Sequence, residues 1–510
     1  MSGRRAPTDP EPLLDLPPEV AEVRRHLPTG AQAWLVGGAV RDLLLGRPLQ
    51  DFDLAVPARG LAIARRLADS LGAAFVPLDA ERGVARVVWR RDRRTLELDV
   101  ADFRAPDLSG DLTARDFTIN AMAVPLSGEP RLIDPAGGRE DLERGVVRLI
   151  SRQALRDDPL RGLRAVRFAA QLGFTVDGTT GSWVREEAAG LRQVAGERVR
   201  DELFKALAAP GPPQGRGPGP TAAVRLLDGL GLLPHTLPEL VALQELDQSA
   251  PHSEDVWEHT LSVLTRLAEV LSHLAGAGAA AADDEAWRPV ASALAPFREP
   301  LAARVARQLA GDRPARGLLL LAALLHDAGK ATTRSLGEDG RIHFYRHEEA
   351  GAAMAEARLQ ALRFAQAEVQ HVAGLVRHHM RPLALNRPQP LSDRSLHRFH
   401  RATGDVAPEV CLLALADNLA KGEGRAHGDW PGFVARVGEL LEAFFERHGE
   451  VVSPTPLLRG GELVRELGMV VGPAIGELLR ALVEAQAAGE VRDRAEALVF
   501  AHRWRAQRGS

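Results

Sequence analysis

The stretch that most constrains this chain is Trp34–Val56: Trp-Leu-Val-Gly-Gly-Ala-Val-Arg-Asp-Leu-Leu-Leu-Gly-Arg-Pro-Leu-Gln-Asp-Phe-Asp-Leu-Ala-Val. Trp34–Val36 is a short apolar strand broken by Gly37-Gly38, and Ala39–Leu45 reads as one or two helical turns ended by Gly46 and Pro48. Asp51-Phe52-Asp53-Leu54 then alternates polar and apolar, the period of a half-buried strand. Asp51 and Asp53 therefore share one face, while Phe52 and Leu54 enter the core. Two carboxylates held side by side repel, and a divalent cation relieves that repulsion. Ligands that are all oxygen favour Mg²⁺, which normally adds water and phosphate oxygens to its shell. The paired glycines Gly37 and Gly38 let backbone N–H groups approach a polyphosphate, and Arg41 is placed to neutralise it.

A bare Asp-x-Asp is usually a solvated hairpin. Gly-Gly, Arg-Asp and Asp-x-Asp in this order and spacing are far more specific, and they resemble the nucleotidyltransferase head of the class II tRNA nucleotidyltransferase / bacterial poly(A) polymerase family. That resemblance implies an α/β head followed by an all-α neck and C-terminal helices.

The chain's 510 residues provide for about three domains. With 45% hydrophobic and 26% charged residues it has a globular composition. Its net charge of −4 leaves nucleic-acid contact to local arginine patches rather than to overall charge. One cysteine, Cys411, excludes an internal disulfide framework and fits a cytoplasmic location. The N-terminal Met1–Pro18 lacks the apolar core of a secretion signal. The longest apolar run, Leu318–Leu325, is too short to span a bilayer, so no membrane association is expected.

The expected order is an N-terminal tail over 1–30, with a short helix at Pro18–His26, and a head over 31–150 of alternating strands and helices. A helical neck over 151–209 would select nucleotide and bind RNA. A Pro/Gly linker covers 210–220, an HD-type helical domain 221–430 and a helical tail 431–510. Ala275–Ala282 reads as a loose loop. Gly-Met-Val-Val-Gly-Pro-Ala-Ile-Gly within Gly460–Leu482 reads as a turn between helices.

Further head motifs follow. In Leu96-Glu97-Leu98-Asp99-Val100, Glu97 and Asp99 share a strand face, and either is placed to supply a third acidic group; the resemblance favours Asp99 as catalytic beside Asp51 and Asp53. Thr113–Ala121 resembles the family's Arg-Arg-Asp-Phe-Thr-x-Asn-Ala motif, with Ala114 replacing the first arginine. By that resemblance Arg115 and Asp116 orient the ribose and triphosphate, and Asn120 supports the pocket. Arg156–Ala170 resembles its Glu-Asp-x-x-Arg motif, with Asp157 in place of glutamate. Pro159 suits a first helical turn, so Asp158 and Arg161, three apart, would neighbour on one face. A carboxylate taking the amino hydrogen of a base, beside a guanidinium donating to its ring nitrogen, admits C and A and rejects U and G. Arg164 continues toward the same side. The resemblance thus implies Mg²⁺-dependent addition of C and/or A from CTP or ATP to a tRNA 3′ end, without a template. Poly(A) polymerase relatives tend to be basic and to lack an HD domain, and this chain is neither. The remaining alternatives are an RNA-binding protein with an inactive head and a chain whose main activity is hydrolytic. The short segment Ala105–Ala114 looks like relatives that add only CC.

After the linker, His259, His326-Asp327, His347, His378-His379 and Asp417 form a series on helices that resembles an HD-type metal-dependent phosphohydrolase domain. His259, His326, Asp327, His347, His378 and Asp417 are the expected ligands, with His379 as the alternative to His378. Such a set takes Mg²⁺, Mn²⁺, Ni²⁺ or a similar divalent ion. Gly329-Lys330-Ala331-Thr332 lacks the earlier glycine of a phosphate-binding loop, where Leu324 stands.

Overall fold

The computed structural model describes residues 13–49, 51–91, 94–208, 219–249, 254–276, 285–422 and 428–508. These form two compact units: one of residues up to Val194 with Gly229–Leu232, the other of Ala195–Asp228 with Leu233 onward. The division falls inside the expected neck. Most of the expected linker and of the Ala275–Ala282 loop lies outside the described residues. Gly219 and Pro220 open a helix that runs to Gly229.

The first unit is built on a six-stranded mixed sheet of β1 (Trp34–Val36), β2 (Asp51–Val56), β3 (Ala74–Asp79), β4 (Val84–Arg91), β5 (Arg94–Asp102) and β6 (Ala123–Pro125). The strand order is β3-β4-β5-β2-β1-β6. Within this sheet, among the described residues, only β2 and β5 pair in parallel, with Asp51 opposite Glu97 and Asp53 opposite Asp99. The alternation in β2 sends Phe52 and Leu54, each 1% exposed, into the core and leaves both aspartates outside. The Gly60–Leu71 helix covers the other face with Ala64, Leu67 and Ala68, the i, i+3, i+4 stripe of an amphipathic helix. The Pro18–His26 helix forms as expected and buries Val20 and Val23, so the described part of the tail is folded. Asn120 closes a short 3₁₀ turn, Thr118–Asn120, leading into β6.

The neck segment departs from expectation at one point. The helix begins at Arg161, and Asp158 is extended at the end of the preceding Gln153–Asp157 helix. Pro159 and Leu160 form a turn in which Arg161 N–H donates to the Asp158 carbonyl at 3.1 Å and Leu160 N–H to Asp158 Oδ1 at 3.3 Å. Asp158 and Arg161 are joined by a turn rather than stacked on one helix face. The Asp158 side chain accepts a backbone N–H of the turn that leads into the helix, as a capping residue does.

Among its described residues the second unit is helical apart from its loops and a small antiparallel hairpin, Arg334–Leu336 with Ile342–Phe344. The Ala315–Leu325 helix is apolar all round from Gly317 onward and buried throughout Leu318–Leu325. The last three helices, Gly460–Leu467, Pro473–Ala487 and Arg494–Arg508, share a core of Leu463, Leu467, Leu478, Leu482, Ala497 and Ala501. Gly468, at φ +59°, ends the first of them and starts the expected turn. No helix among the described residues is long and apolar enough to cross a membrane.

Candidate active site and histidine centre

In the first unit, four carboxylates line up on neighbouring strands: Asp51 and Asp53 on β2, Glu97 and Asp99 on β5. β4 brings Arg86 opposite Asp99. Its guanidinium grips Asp99 through Nε–Oδ1 at 2.8 Å and Nη2–Oδ2 at 2.9 Å and also pairs with Glu97. Sequence reasoning missed this arginine, because only strand order brings it to the acidic face. Asp51 and Asp53 hold their protons more tightly than ordinary carboxylates. Burial is the main cause for each; Glu97 adds to it for Asp51, while Arg115 opposes it for Asp53. A divalent cation stabilises such a pair in its charged form, so β2 fits one.

Gly37 shows why no side chain fits between the strand and the helix that follows. Its φ is +71°, and a Cβ there would stand 2.9 Å from Arg115 Nη1 and 3.1 Å from Asp53 Oδ2. The Gly38–Leu44 helix that follows carries Arg41. Arg41 donates to Asn120 Oδ1 at 2.9 Å, and Asn120 Nδ2 donates to Asp116 Oδ1 at 3.1 Å. Asp116 Oδ2 accepts from Arg164 Nε at 2.8 Å. The guanidinium groups of Arg41, Arg164 and Arg167 lie 4.1–5.6 Å from the Phe168 ring centre. Burial alone would raise the Asp116 pKa, but Arg164 and the hydrogen bonds hold it below the usual value. Arg41, Asn120, Asp116 and Arg164, separate in sequence, thus form one connected polar wall. Arg115 reaches both Gly37 and Asp111, the latter at 3.3 Å.

The Ala105–Ala114 segment is a compact helix, Leu108–Thr113, capped by Asp107, whose Oδ1 accepts from Gly110 N–H at 2.8 Å. Buried Asp111 ties it back by accepting from Arg104 N–H at 3.0 Å.

In the second unit, two triads of buried side chains could each hold an ion: His259, His326 and Asp327, and Asp327, His347 and His379. Asp327 belongs to both. His326, His347 and His379 each direct Nδ1 at the backbone carbonyl three residues earlier, at 2.8, 2.9 and 2.7 Å. That contact orients Nε2 toward the centre, the arrangement typical of metal-bound imidazole. The buried Nε2 of His326 lies 3.2 Å from Asp327 Oδ2, and the Nε2 atoms of His347 and His379 stand 3.4 Å apart. Burial, with His326 and His347 nearby, pushes His379 down to about 3, the neutral form a ligand needs. Asp417 sits 3.0 Å from His259 Nε2. Lys330 and Lys421, unanticipated from the sequence, pair with Asp327 and Asp417 at 2.7 Å each. The donor set fits a divalent transition ion.

His378 is corrected. It is half-buried and accepts a hydrogen bond from Arg381 Nε at 2.9 Å, while His379 enters the cluster. The buried stripe Val372, Leu375, Val376 of the Gln366–His378 helix continues to position 379, so helical period separates the two histidines.

Comparison with known proteins identifies three regions of the chain. Residues 33–148 match the poly A polymerase head domain, residues 173–243 the probable RNA and SrmB-binding site of polymerase A, and residues 300–422 the HD domain. The chain is 37% identical over 485 residues to an A-adding tRNA nucleotidyltransferase of Deinococcus radiodurans, covering 94% of this chain and 96% of that protein. It is 36% identical over 488 residues to a CC-adding tRNA nucleotidyltransferase of Thermus thermophilus, covering 94% and 95%. In fold it resembles a Thermotoga maritima CCA-adding enzyme solved with tRNA, with a TM-score of 0.56 at 21% identity over 96% of each chain. The chain belongs to the class II tRNA nucleotidyltransferase / poly(A) polymerase family, with an HD domain C-terminal to its head.

Proposed function

We propose that the chain adds C and/or A to the 3′ end of tRNA from CTP and/or ATP, in the cytoplasm and without a nucleic-acid template. The observation that carries this is Gly37 packed between Asp53 and Arg115, which leaves the carboxylate pair beside a guanidinium. Asp51 and Asp53 hold Mg²⁺, which when bound promotes deprotonation of the attacking 3′-hydroxyl and balances charge on the leaving pyrophosphate. Arg41 and Arg115 bind the triphosphate. Asp116 and Asn120 keep Arg41 and Arg164 in place around it, and Asp158 with Arg161 reads the base edge. The capped and tethered Leu108–Thr113 helix leaves little slack for the pocket to change between C and A, which favours a product ending in CC. Purified protein given tRNAs ending before, within and just short of CCA, with labelled CTP or ATP and Mg²⁺, tests both readings. Cytidine addition is expected; ATP incorporation after CC overturns the short-segment reading, and no incorporation at all overturns the transferase.

The paired triads support a second activity. His259, His326, Asp327, His347, His379 and Asp417 hold one or two divalent ions such as Mg²⁺, Mn²⁺ or Ni²⁺ and hydrolyse phosphomonoesters or 2′,3′-cyclic phosphates. Hydrolysis of bis-p-nitrophenyl phosphate and of 2′,3′-cyclic AMP that is unchanged by Asp327→Ala would overturn it.

A further inference from the structure

The guanidinium beside Asp53 is bonded elsewhere. Arg115 Nη1 and Asp53 Oδ2 flank one point, the place a Cβ on Gly37 would take, at 2.9 and 3.1 Å from it. Burial raises the pKa of Asp53 and Arg115 opposes that, so its charge is within electrostatic reach. Yet among the described residues no ion pair joins the two. Arg115 pairs instead with Asp111, Nη2 to Oδ2 at 3.3 Å. Its Nη1 has no hydrogen-bond partner among the described residues, and neither has its buried Nε. A guanidinium carries five N–H donors, so most of these are left for a ligand.

Asp111 is held from a second side. It is 3% exposed on the Leu108–Thr113 helix, and its Oδ1 accepts from the Arg104 backbone N–H at 3.0 Å. Arg104 and Arg115 are the residues on either side of Ala105–Ala114. One buried carboxylate therefore closes that segment and grips the guanidinium that stands beside Asp53. Asp111 and Arg115 are four apart, the spacing at which side chains meet on neighbouring helical turns.

We propose that Asp111 is a positioning residue for nucleotide binding: by holding Nη2 it keeps Arg115 from closing on Asp53. Asp53 then stays open to a metal ion, and Nη1 stays open to the triphosphate at the Gly37 bend. Without the Asp111 charge, Asp53 is the carboxylate within reach, and the two groups would neutralise each other. The proposal rests on the reading that Arg115 binds the triphosphate.

The test is a double-mutant cycle of Asp111→Asn and Arg115→Gln, read as binding of labelled CTP and ATP by equilibrium dialysis with Mg²⁺ and no RNA. Asparagine keeps an oxygen for the Arg104 N–H and loses only the charge that holds Arg115. Asp111→Asn should weaken binding roughly tenfold. The double variant should bind no more weakly than Arg115→Gln alone, because Asp111 acts through Arg115. A general loss of fold would appear in both backgrounds, and its effects would add. In steady-state incorporation the Asp111→Asn effect should fall on the KM for the triphosphate. No binding by wild type, or full affinity in Arg115→Gln, overturns the triphosphate reading and the proposal with it. Loss in Arg115→Gln with full affinity in Asp111→Asn, additive losses, or an effect confined to kcat overturns the positioning role alone.

Discussion

Arg86 holds both oxygens of Asp99, at 2.8 and 2.9 Å, one strand away from Asp53. A carboxylate engaged in this way makes a weak direct ligand and acts on Asp51 and Asp53 mainly through its charge. Asp99→Asn should therefore slow incorporation by about 10–100-fold, the usual effect of a group supporting a metal ligand. Asp53→Ala should fall to the enzyme-free rate. Single-turnover incorporation of labelled CTP or ATP separates the two, and equal losses would make Asp99 a ligand in its own right.

Proton and metal compete for the same oxygens of Asp51 and Asp53. Both groups have pKa values raised above 3.8, through burial first and then neighbouring acids, so cation affinity falls as pH drops through those raised values. The acid limb of the pH–rate profile should lie above the ordinary carboxylate range and move to lower pH as Mg²⁺ approaches saturation. Arg86 lowers the Asp51 value, so Arg86→Leu should shift that limb upward. A limb that ignores Mg²⁺ concentration would refute this account.

At Gly37 an alanine meets two penalties together. The left-handed backbone costs about 1–2 kcal/mol for a residue with a Cβ, and that Cβ would press on Arg115 and Asp53. Gly37→Ala should keep the circular dichroism spectrum, lose roughly 1–2 kcal/mol in urea unfolding, and raise the KM for nucleoside triphosphate. Gly46 also has a positive φ, but nothing lies near a Cβ there, so Gly46→Ala should show the stability cost alone.

Asp116 joins the 3₁₀ turn to the neck helix through Asn120 and Arg164. Its folded pKa is lowered, so the stability it contributes is present above its unfolded value and is lost as pH falls through the folded one. Asp116→Asn should cost roughly 2 kcal/mol at pH 7, typical of a hydrogen bond to a charged partner, and the gap to wild type should close in acid. Urea midpoints at several pH values measure it.

The two adjacent histidines of the second centre should behave differently. After metal loading and dialysis, His379→Ala should lose bound ion measured by plasma mass spectrometry, while His378→Ala retains it. Metal stripping should lower the melting temperature of wild type and of His378→Ala, but leave that of His379→Ala unmoved. Equal retention by both variants would remove His379 from the ligand set.

What the sequence determined by itself was local. The period-2 alternation of Asp51–Leu54 set which side chains face out. Gly37-Gly38 announced the tight bend, and the apolar Leu318–Leu325 run announced a buried helix ending at His326-Asp327. Each of these depends on residues a few positions apart, where backbone geometry alone fixes the relationship. Tertiary structure decided the rest. Arg86 meets Asp99 only because β4 pairs with β5, and His259 meets Asp417 only because distant helices bring the two together. The choice of His379 over His378 depended on which side of a helix was buried. Asp158, expected at the helix N-terminus, lies extended just before it, its side chain accepting the Leu160 N–H, so it is joined to Arg161 by a turn. Contacts between segments far apart in sequence are chosen by packing and strand order, and a one-dimensional pattern carries too little of either to specify them.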